Sequence, residues 1–285
     1  MKKLFILVAI IALFTTGCDF SSSEKKGNTS EKISLYEKVL KNKVIHVGYI
    51  TYPPNFIKNP DGTYSGIFYE TMEQIGEKLG VEIDYAEEVT WGGMIEAIKT
   101  KRIDMVVTGI WPTSERGKHV DFANPLFFSA VKAYTQNNNN KFDGNLKSIN
   151  NKDVKISTID GEMTSIIADL DFPNAKKVPV SQMLGVSQTL LDVKTGKTDI
   201  SFVEPAIALE FDAKNPNSIK EIKNIKPLRV FPNAMMLPKG EEEFKSTLNI
   251  AINELLNNGF VDKLIDKYEK YPNSFYRVQT PYSKK

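Results

Sequence analysis

The chain has 285 residues, 41% hydrophobic and 25% charged, which excludes disordered and fibrous classes and allows one large domain or two lobes of roughly 100 to 150 residues. Its 37 Lys and Arg and 35 Asp and Glu are spread without a long basic run, so nucleic-acid binding gains no electrostatic support. A single Cys excludes a disulfide framework and a Cys-cluster metal site, and His46 and His119 are too few and too far apart for a His-based zinc motif.

Residues 1–17 have the three parts of a secretory signal: Lys2 and Lys3, an apolar run over 4–14 too short for a comfortable membrane span, then Thr15, Thr16 and Gly17. Cys18 follows directly, and the arrangement resembles the lipobox of bacterial lipoproteins, in which cleavage leaves the Cys as a lipidated N-terminus. Thr15 stands where that motif usually has Leu; the alternatives are an ordinary signal peptide or a short uncleaved anchor. Cleavage removes Lys2 and Lys3 and no acid, so the 37 basic residues fall to 35, equal to the 35 acidic ones. Residues 18–32 begin with this Cys and continue as DFSSSEKKGNTSE, with one apolar side chain, and are expected to form a flexible tether. Asp19 resembles an inner-membrane retention signal of some enterobacteria.

The folded part is expected to start near Ile33. VIHV at 44–47 reads as a buried strand, Tyr52-Pro53-Pro54-Asn55 as an extended loop, and Asn59-Pro60-Asp61-Gly62 as a hairpin turn. Apolar residues at 67, 68, 72, 75 and 79 predict a helix stopped by Gly80. A strand over 81–85, a helix over 92–100 with Met94, Ile95 and Ile98 inward, and a buried strand over 103–108 follow, an alternation that argues for a parallel α/β sheet.

The second half repeats the theme, with strands at 154–159 and 200–203 and helices at 164–170 and 186–193. IKTKRIDMVVTG at 98–109 and VKTGKTDISFVE at 193–204 share the order helix end, Lys-Thr, turn, Asp, buried strand; both a true repeat and convergence on good turn chemistry remain open. Between the halves run strand-like segments at 130–136 and 228–237, the first leading into a polar surface loop at Asn137 to Asn140; a helical region over 241–270 is broken at Asn257-Asn258-Gly259. Two crossings predict two α/β lobes around a hinged cleft, with lobe 1 discontinuous over 33–131 and 236–285, and lobe 2 over 132–235 with the hinge strands.

Ligands of open α/β sheets sit beyond the carboxyl ends of the strands. Those positions hold Tyr49, Tyr52, Trp91, Thr108, Gly109, Trp111, Asp160, Gly161 and Glu204. A Trp before a helix is more often a packing residue than a ligand contact, and the Arg of a Ser-Glu-Arg-Gly loop is ordinarily solvated. Glu204, after the buried run ISFV and before Pro205, is costly unless it faces a cleft or is paired. An Arg fork suits a carboxylate and a Glu suits an ammonium group, so Arg116 and Glu204 from different lobes describe a clamp for a zwitterion, with Tyr52, Trp91 and Trp111 as apolar walls.

From residue 44 to about 271 the chain resembles bacterial extracellular solute-binding proteins, family 3, of the polar-amino-acid branch. The resemblance is carried by VIHVGYITYPPNF, the Gly66 turn, WGGMIEAIKTKRIDMVVTGIWPTSERGKHVDFANPLF and GKTDISFVEPAIAL. It implies a type II periplasmic-binding-protein fold, closure on a small amino-acid-like ligand, delivery to an ABC transporter permease, a monomeric state and no cofactor. It also assigns Arg116 to the ligand carboxylate, Tyr52 and Trp91 to its flanking rings, Thr108 to Trp111 to the carboxylate loop, Thr164 to lobe 2 and Glu204 to the α-amino group.

The chain departs from the pattern in several places. Phe68 stands where an Asp is frequent, Tyr49 and Ile50 replace an acid after the first strand, Pro112 replaces a hydroxyl residue, and Gly161-Glu162-Met163-Thr164 replaces a Gly-Thr-Thr-like turn. Lost acids and extra Trp walls argue against a Lys- or Arg-like ligand and for an apolar, aromatic or non-standard one. The alternatives are a periplasmic dehydratase of cyclohexadienyl type on the same fold, with Glu204 as acid or base, and a ligand-sensing or surface lipoprotein. No GxSxG, HExxH, GxGxxG or P-loop pattern is present.

Overall fold

A computed structural model describes residues 33–271 and 274–278. The signal, Cys18 and the tether therefore lie outside the described residues.

The first elements are α1 (Leu35–Asn42), β1 (Val44–Tyr49), β2 (Ile57–Lys58), β3 (Tyr64–Ser65), α2 (Ile67–Leu79), β4 (Glu82–Glu88), α3 (Met94–Lys99), β5 (Met105–Ile110), α4 (Ser114–Gly117), β6 (Val120–Phe122) and β7 (Phe127–Gln136). Next come β8 (Lys155–Ile159), α5 (Met163–Asp171), β9 (Lys176–Val180), α6 (Ser187–Lys194), β10 (Ser201–Val203), α7 (Pro205–Lys214) and β11 (Ile219–Glu221). The chain then returns through β12 (Arg229–Pro238), α8 (Glu242–Asn257), α9 (Phe260–Tyr268) and β13 (Phe275–Arg277).

Helix α2 spans the predicted residues, and its first turn is fixed by the loop before it. Ile67 N–H donates to Pro54 O at 3.1 Å and Phe68 N–H to Asn55 O at 2.8 Å, which satisfies helix donors that otherwise lack partners. Gly66, at φ +116, makes this contact possible: a Cβ there would lie 2.7 Å from Asn55 O. The apolar stripe of α2, with Ile67, Phe68, Met72 and Ile75 fully buried, packs with Phe244, Leu248, Val261 and Ile265 of α8 and α9. Burying each such side chain stabilises by about 1.5–3 kcal/mol.

β1 lies parallel to both β4 and β5, and β12 runs antiparallel to β5 through Ala234↔Ile110 and Met236↔Val106. The two ten-residue strands serve both parts of the molecule. β12 pairs β5 and β6 with its C-terminal end and β7 with residues 229–233. β7 pairs β12 with residues 127–131 and β10 and β11 with residues 132–136. These are the two expected crossings. In the second part, β8 pairs β9 in parallel, and the bridge Ile156↔Ile200 ties β8 to the segment entering β10.

The two Lys-Thr-turn-Asp segments occupy equivalent positions. Asp104 accepts from His46 N at 2.9 Å while its own N–H donates to His46 O at 2.7 Å. Asp199 accepts from Lys155 N at 2.8 Å and donates to Lys155 O at 2.9 Å. Each Asp thus clips the entry of one strand to its parallel neighbour, so the two like segments do the same local work.

The buried apolar side chains gather in three cores. One gathers β1, α2, α8 and α9, and another gathers Phe142, Ile149, Ile156, Ile167, Phe172 and Phe202. In the third, Trp91, Met94 and Ile98 pack in one cluster with Val186, Leu190 and Val203. Ile95, expected inward, is half-buried. Elements absent from the sequence reading have physical reasons: α7 lacks an amphipathic period, and β9 contains Pro179 but pairs only β8, where a missing donor can be tolerated on an edge. Among the described residues no helix is long and apolar enough to cross a membrane.

Candidate functional site: a buried cleft between two α/β units

Tyr52 follows β1, Trp91 precedes α3, Thr108 and Gly109 end β5, and Trp111 follows it. From the second unit come Gly161 and Glu162 after β8, and Glu204, the residue before α7. The ends of the two units meet. Gly161, at φ +76, brings its α-carbon against Trp91 and Gly92, where a Cβ would lie 3.1 Å from Trp91 O. Gly92 N–H donates to Gln182 Oε1 at 3.1 Å.

Arg116 is held in α4, whose N-cap Thr113 accepts the Arg116 N–H at 3.2 Å. Its side chain is buried, with one terminal nitrogen donating to Trp111 O and the other to Gly161 O, both at 2.7 Å. Loss of solvent brings the guanidinium down to about 10, partly offset by the charge of Glu162. The cation therefore already spans the two units.

Glu204 is 3% exposed. Its Oε2 accepts from the Tyr52 hydroxyl at 2.5 Å, and its Oε1 has no hydrogen-bond partner among the described residues. Burial pushes the carboxyl up to about 7 against the pull of the nearby Ser129 and Tyr52 hydroxyls, and the charge of Glu162 adds to the rise. Burial, then the charges of Glu204 and Glu162, hold the Tyr52 phenol well above its usual range. The Tyr52 ring meets Trp91 edge-on, with centroids 5.4 Å apart, a favoured aromatic geometry.

The remaining expected residues sort differently. The Thr108 hydroxyl is buried without a partner among the described residues. Gly109 is fixed by crowding: a Cβ would lie 2.7 Å from both Asn55 Nδ2 and Asn233 Oδ1. Thr164 uses its hydroxyl to accept Ile159 N–H at 2.8 Å, so in this structure it braces the turn after β8. Trp111 is more than a wall. It stacks on Phe231 at 4.8 Å, its Nε1 donates to Asn233 Oδ1 at 3.1 Å, and its other neighbours include the core of the second unit.

Several residues join the site that the sequence reading left out. Glu162 caps α5 by accepting Thr164 N–H at 2.7 Å and stands near Arg116 as a buried acid whose pKa is raised by desolvation. Asn233 donates to Ser129 Oγ at 2.8 Å, and both amide atoms of buried Asn55 lack partners among the described residues. Asn55 ends the extended loop read from Tyr52-Pro53-Pro54-Asn55, whereas Ser129 and Asn233 sit within apolar strands and give no local signal. Among the described residues no group of three or more His, Cys, Asp or Glu is placed to hold a metal ion.

Charged groups and rings from two α/β units thus lie buried where those units meet. Residues 45–271 match bacterial extracellular solute-binding proteins, family 3. The chain belongs to this family. It is 26% identical over 218 residues to the L-cystine-binding protein TcyJ of Escherichia coli strain K12, covering 76% of this chain and 79% of that one. It is also 26% identical over 275 residues to a probable histidine-binding protein of Campylobacter jejuni, covering 94% and 99%. Among solved structures, the ancestral amino acid-binding protein AncCDT-1, a precursor of cyclohexadienyl dehydratase, matches with a TM-score of 0.71 and 24% identity, over 83% of this chain and 100% of that one. The chain has the type II periplasmic-binding-protein fold, with two α/β lobes about a cleft.

Proposed function

We propose that this family 3 protein is the substrate-binding lipoprotein of an ABC importer, anchored through Cys18 on the extracytoplasmic side of a bacterial membrane. Lobe 1 comprises 33–131 and 236–285, lobe 2 comprises 132–235, and β7 and β12 form the hinge. An amino acid or related zwitterion enters the open cleft, its carboxylate taken by Arg116 with Thr108 and the β5 loop, its ammonium by Glu204 beside Tyr52 and Trp91. Closure shifts a pre-existing equilibrium and removes water, which strengthens both charge contacts. The closed monomer then presents its ligand to the permease, without a cofactor.

The observation that carries this reading is the burial of both Arg116 and Glu204, with Glu204 Oε1 and Thr108 Oγ1 both lacking partners among the described residues. Buried polar atoms of this kind are ordinarily satisfied, and a zwitterion supplies what they lack. Thermal unfolding against amino acids, amines, carboxylates and prephenate-like acids tests the reading, because binding to the folded state raises the melting temperature. A rise with zwitterions alone supports it, and a rise with none contradicts it. One observation favours a second reading: a carboxyl raised to about 7 suits proton transfer. Product formation from a prephenate-like acid, abolished in Glu204→Gln, would establish a dehydratase instead.

A further inference from the structure

A directed series of hydrogen bonds leads from Arg116 toward Glu204. Arg116 donates to Trp111 O at 2.7 Å, Trp111 Nε1 donates to Asn233 Oδ1 at 3.1 Å, and Asn233 Nδ2 donates to Ser129 Oγ at 2.8 Å. Ser129 and Asn233 are fully buried, one on each of the two crossing strands β7 and β12. The direction is set at Trp111. An indole N–H can only donate, so the Asn233 atom facing it is the oxygen, and the amide nitrogen faces Ser129. Ser129 Oγ is thereby the acceptor of that bond, and its own proton is left to be donated elsewhere. The Glu204 carboxyl lies nearby, the Ser129 hydroxyl favours its ionised form, and its Oε1 is still short of an aligned donor among the described residues.

We propose that Asn233 is a positioning residue for Glu204: by occupying the Ser129 oxygen it turns the Ser129 proton toward the carboxylate and keeps that carboxylate ready for a cationic group. The cationic group is the ligand ammonium of the clamp proposed above, and the inference rests on that reading for its functional half alone. The titratable groups that act on Glu204 come from other elements, Tyr52 as a donor from the loop after β1 and Glu162 as a like charge from the turn after β8. Neither belongs to the series, so a change at Asn233 reaches Glu204 through Ser129. With an apolar residue at 233 the Ser129 hydroxyl is free to rotate away, and the ionised carboxylate loses a donor.

Carboxyl-carbon NMR of the purified, ligand-free protein, with the Glu204 signal assigned by Glu204→Gln, follows this ionisation directly. The midpoint should rise by about one pH unit in Ser129→Ala, by about the same in Asn233→Leu, and by no more in the double variant, because both changes remove one donor. Ser129→Thr, which keeps the hydroxyl, should leave it in place. An unmoved midpoint in Ser129→Ala or in folded Asn233→Leu, or fully additive rises, would overturn the proposal. If Asn233→Leu does not fold, Asn233→Asp, which keeps the shape and the acceptor for Trp111, decides the same cycle. A new charge acting alone raises the midpoint equally with and without the Ser129 hydroxyl and would overturn the relay; a rise cut by half or more in the Ser129→Ala background supports it. Calorimetry with amino acids on the same proteins keeps the two layers apart. Shifted midpoints without amino-acid binding would retire the clamp and keep the relay, and unshifted midpoints with intact binding would do the reverse.

Discussion

The Tyr52 hydroxyl donates to Glu204 Oε2 at 2.5 Å, linking the loop after β1 to the start of α7 across 152 positions of sequence. Both partners are buried. Tyr52→Phe removes the donor and leaves a desolvated carboxylate oxygen unpaired, which should lower the unfolding free energy by about 1–3 kcal/mol. Urea unfolding of the variant checks this; an unchanged midpoint would mean that the bond does not persist in solution.

Glu204 also sets a pH dependence. Its carboxyl is raised from 4.5 to about 7, so between those values the folded protein holds a proton that the unfolded chain has released. Its contribution to stability is therefore full below pH 4.5 and is lost as pH rises through about 7. Binding runs the other way, because an ammonium ligand needs the ionised carboxylate. Affinity should fall about tenfold per pH unit below 7, with a proton released on binding. Calorimetry in buffers of different ionisation enthalpy measures that proton, and a flat profile between pH 5.5 and 7.5 would contradict the pairing.

Gly66→Ala should destabilise the fold and the site together. The residue sits at φ +116, and the new methyl would press on Asn55 O, so a loss of about 1–3 kcal/mol is expected. The loop carrying Tyr52 and Asn55 would move with it. Melting curves and ligand titration of the same variant should both worsen; intact binding would separate the loop from the helix start.

The two tryptophans should part company on substitution. Trp111→Ala empties a stack against Phe231 and should lose about 3–5 kcal/mol of stability. Trp91, which is packed in a core cluster and also lines two cavities, should lose affinity as well as stability. Denaturation and titration of the pair decide between packing and contact.

Most of the fold was legible because its helices and strands keep clean periods. The apolar spacing at 67, 68, 72, 75 and 79 and the stop at Gly80 coincide with α2. α1 escaped notice although Ser34 and Glu37 form a capping box, a local signal that the sequence does carry. The site was legible where residues follow strands, as Tyr52 and Glu204 do. Glu162 was hidden because its role comes from the approach of Arg116, 46 positions earlier in the chain, and no local pattern encodes such a contact. Asn233 and Ser129 were hidden for the same reason, as polar residues in strands whose neighbours are set by crossing geometry.

The central claim is that Arg116 and Glu204 hold opposite ends of one zwitterion. Its most direct test is calorimetric titration of wild-type, Arg116→Ala and Glu204→Ala protein with the best-binding amino acid, its amide and its deaminated acid. The account predicts that Arg116→Ala loses the preference for the acid over the amide, that Glu204→Ala loses the preference for the amine over the deaminated form, and that each variant loses about 2–5 kcal/mol of affinity. Full affinity in either variant, with the wild-type preferences intact, would contradict it.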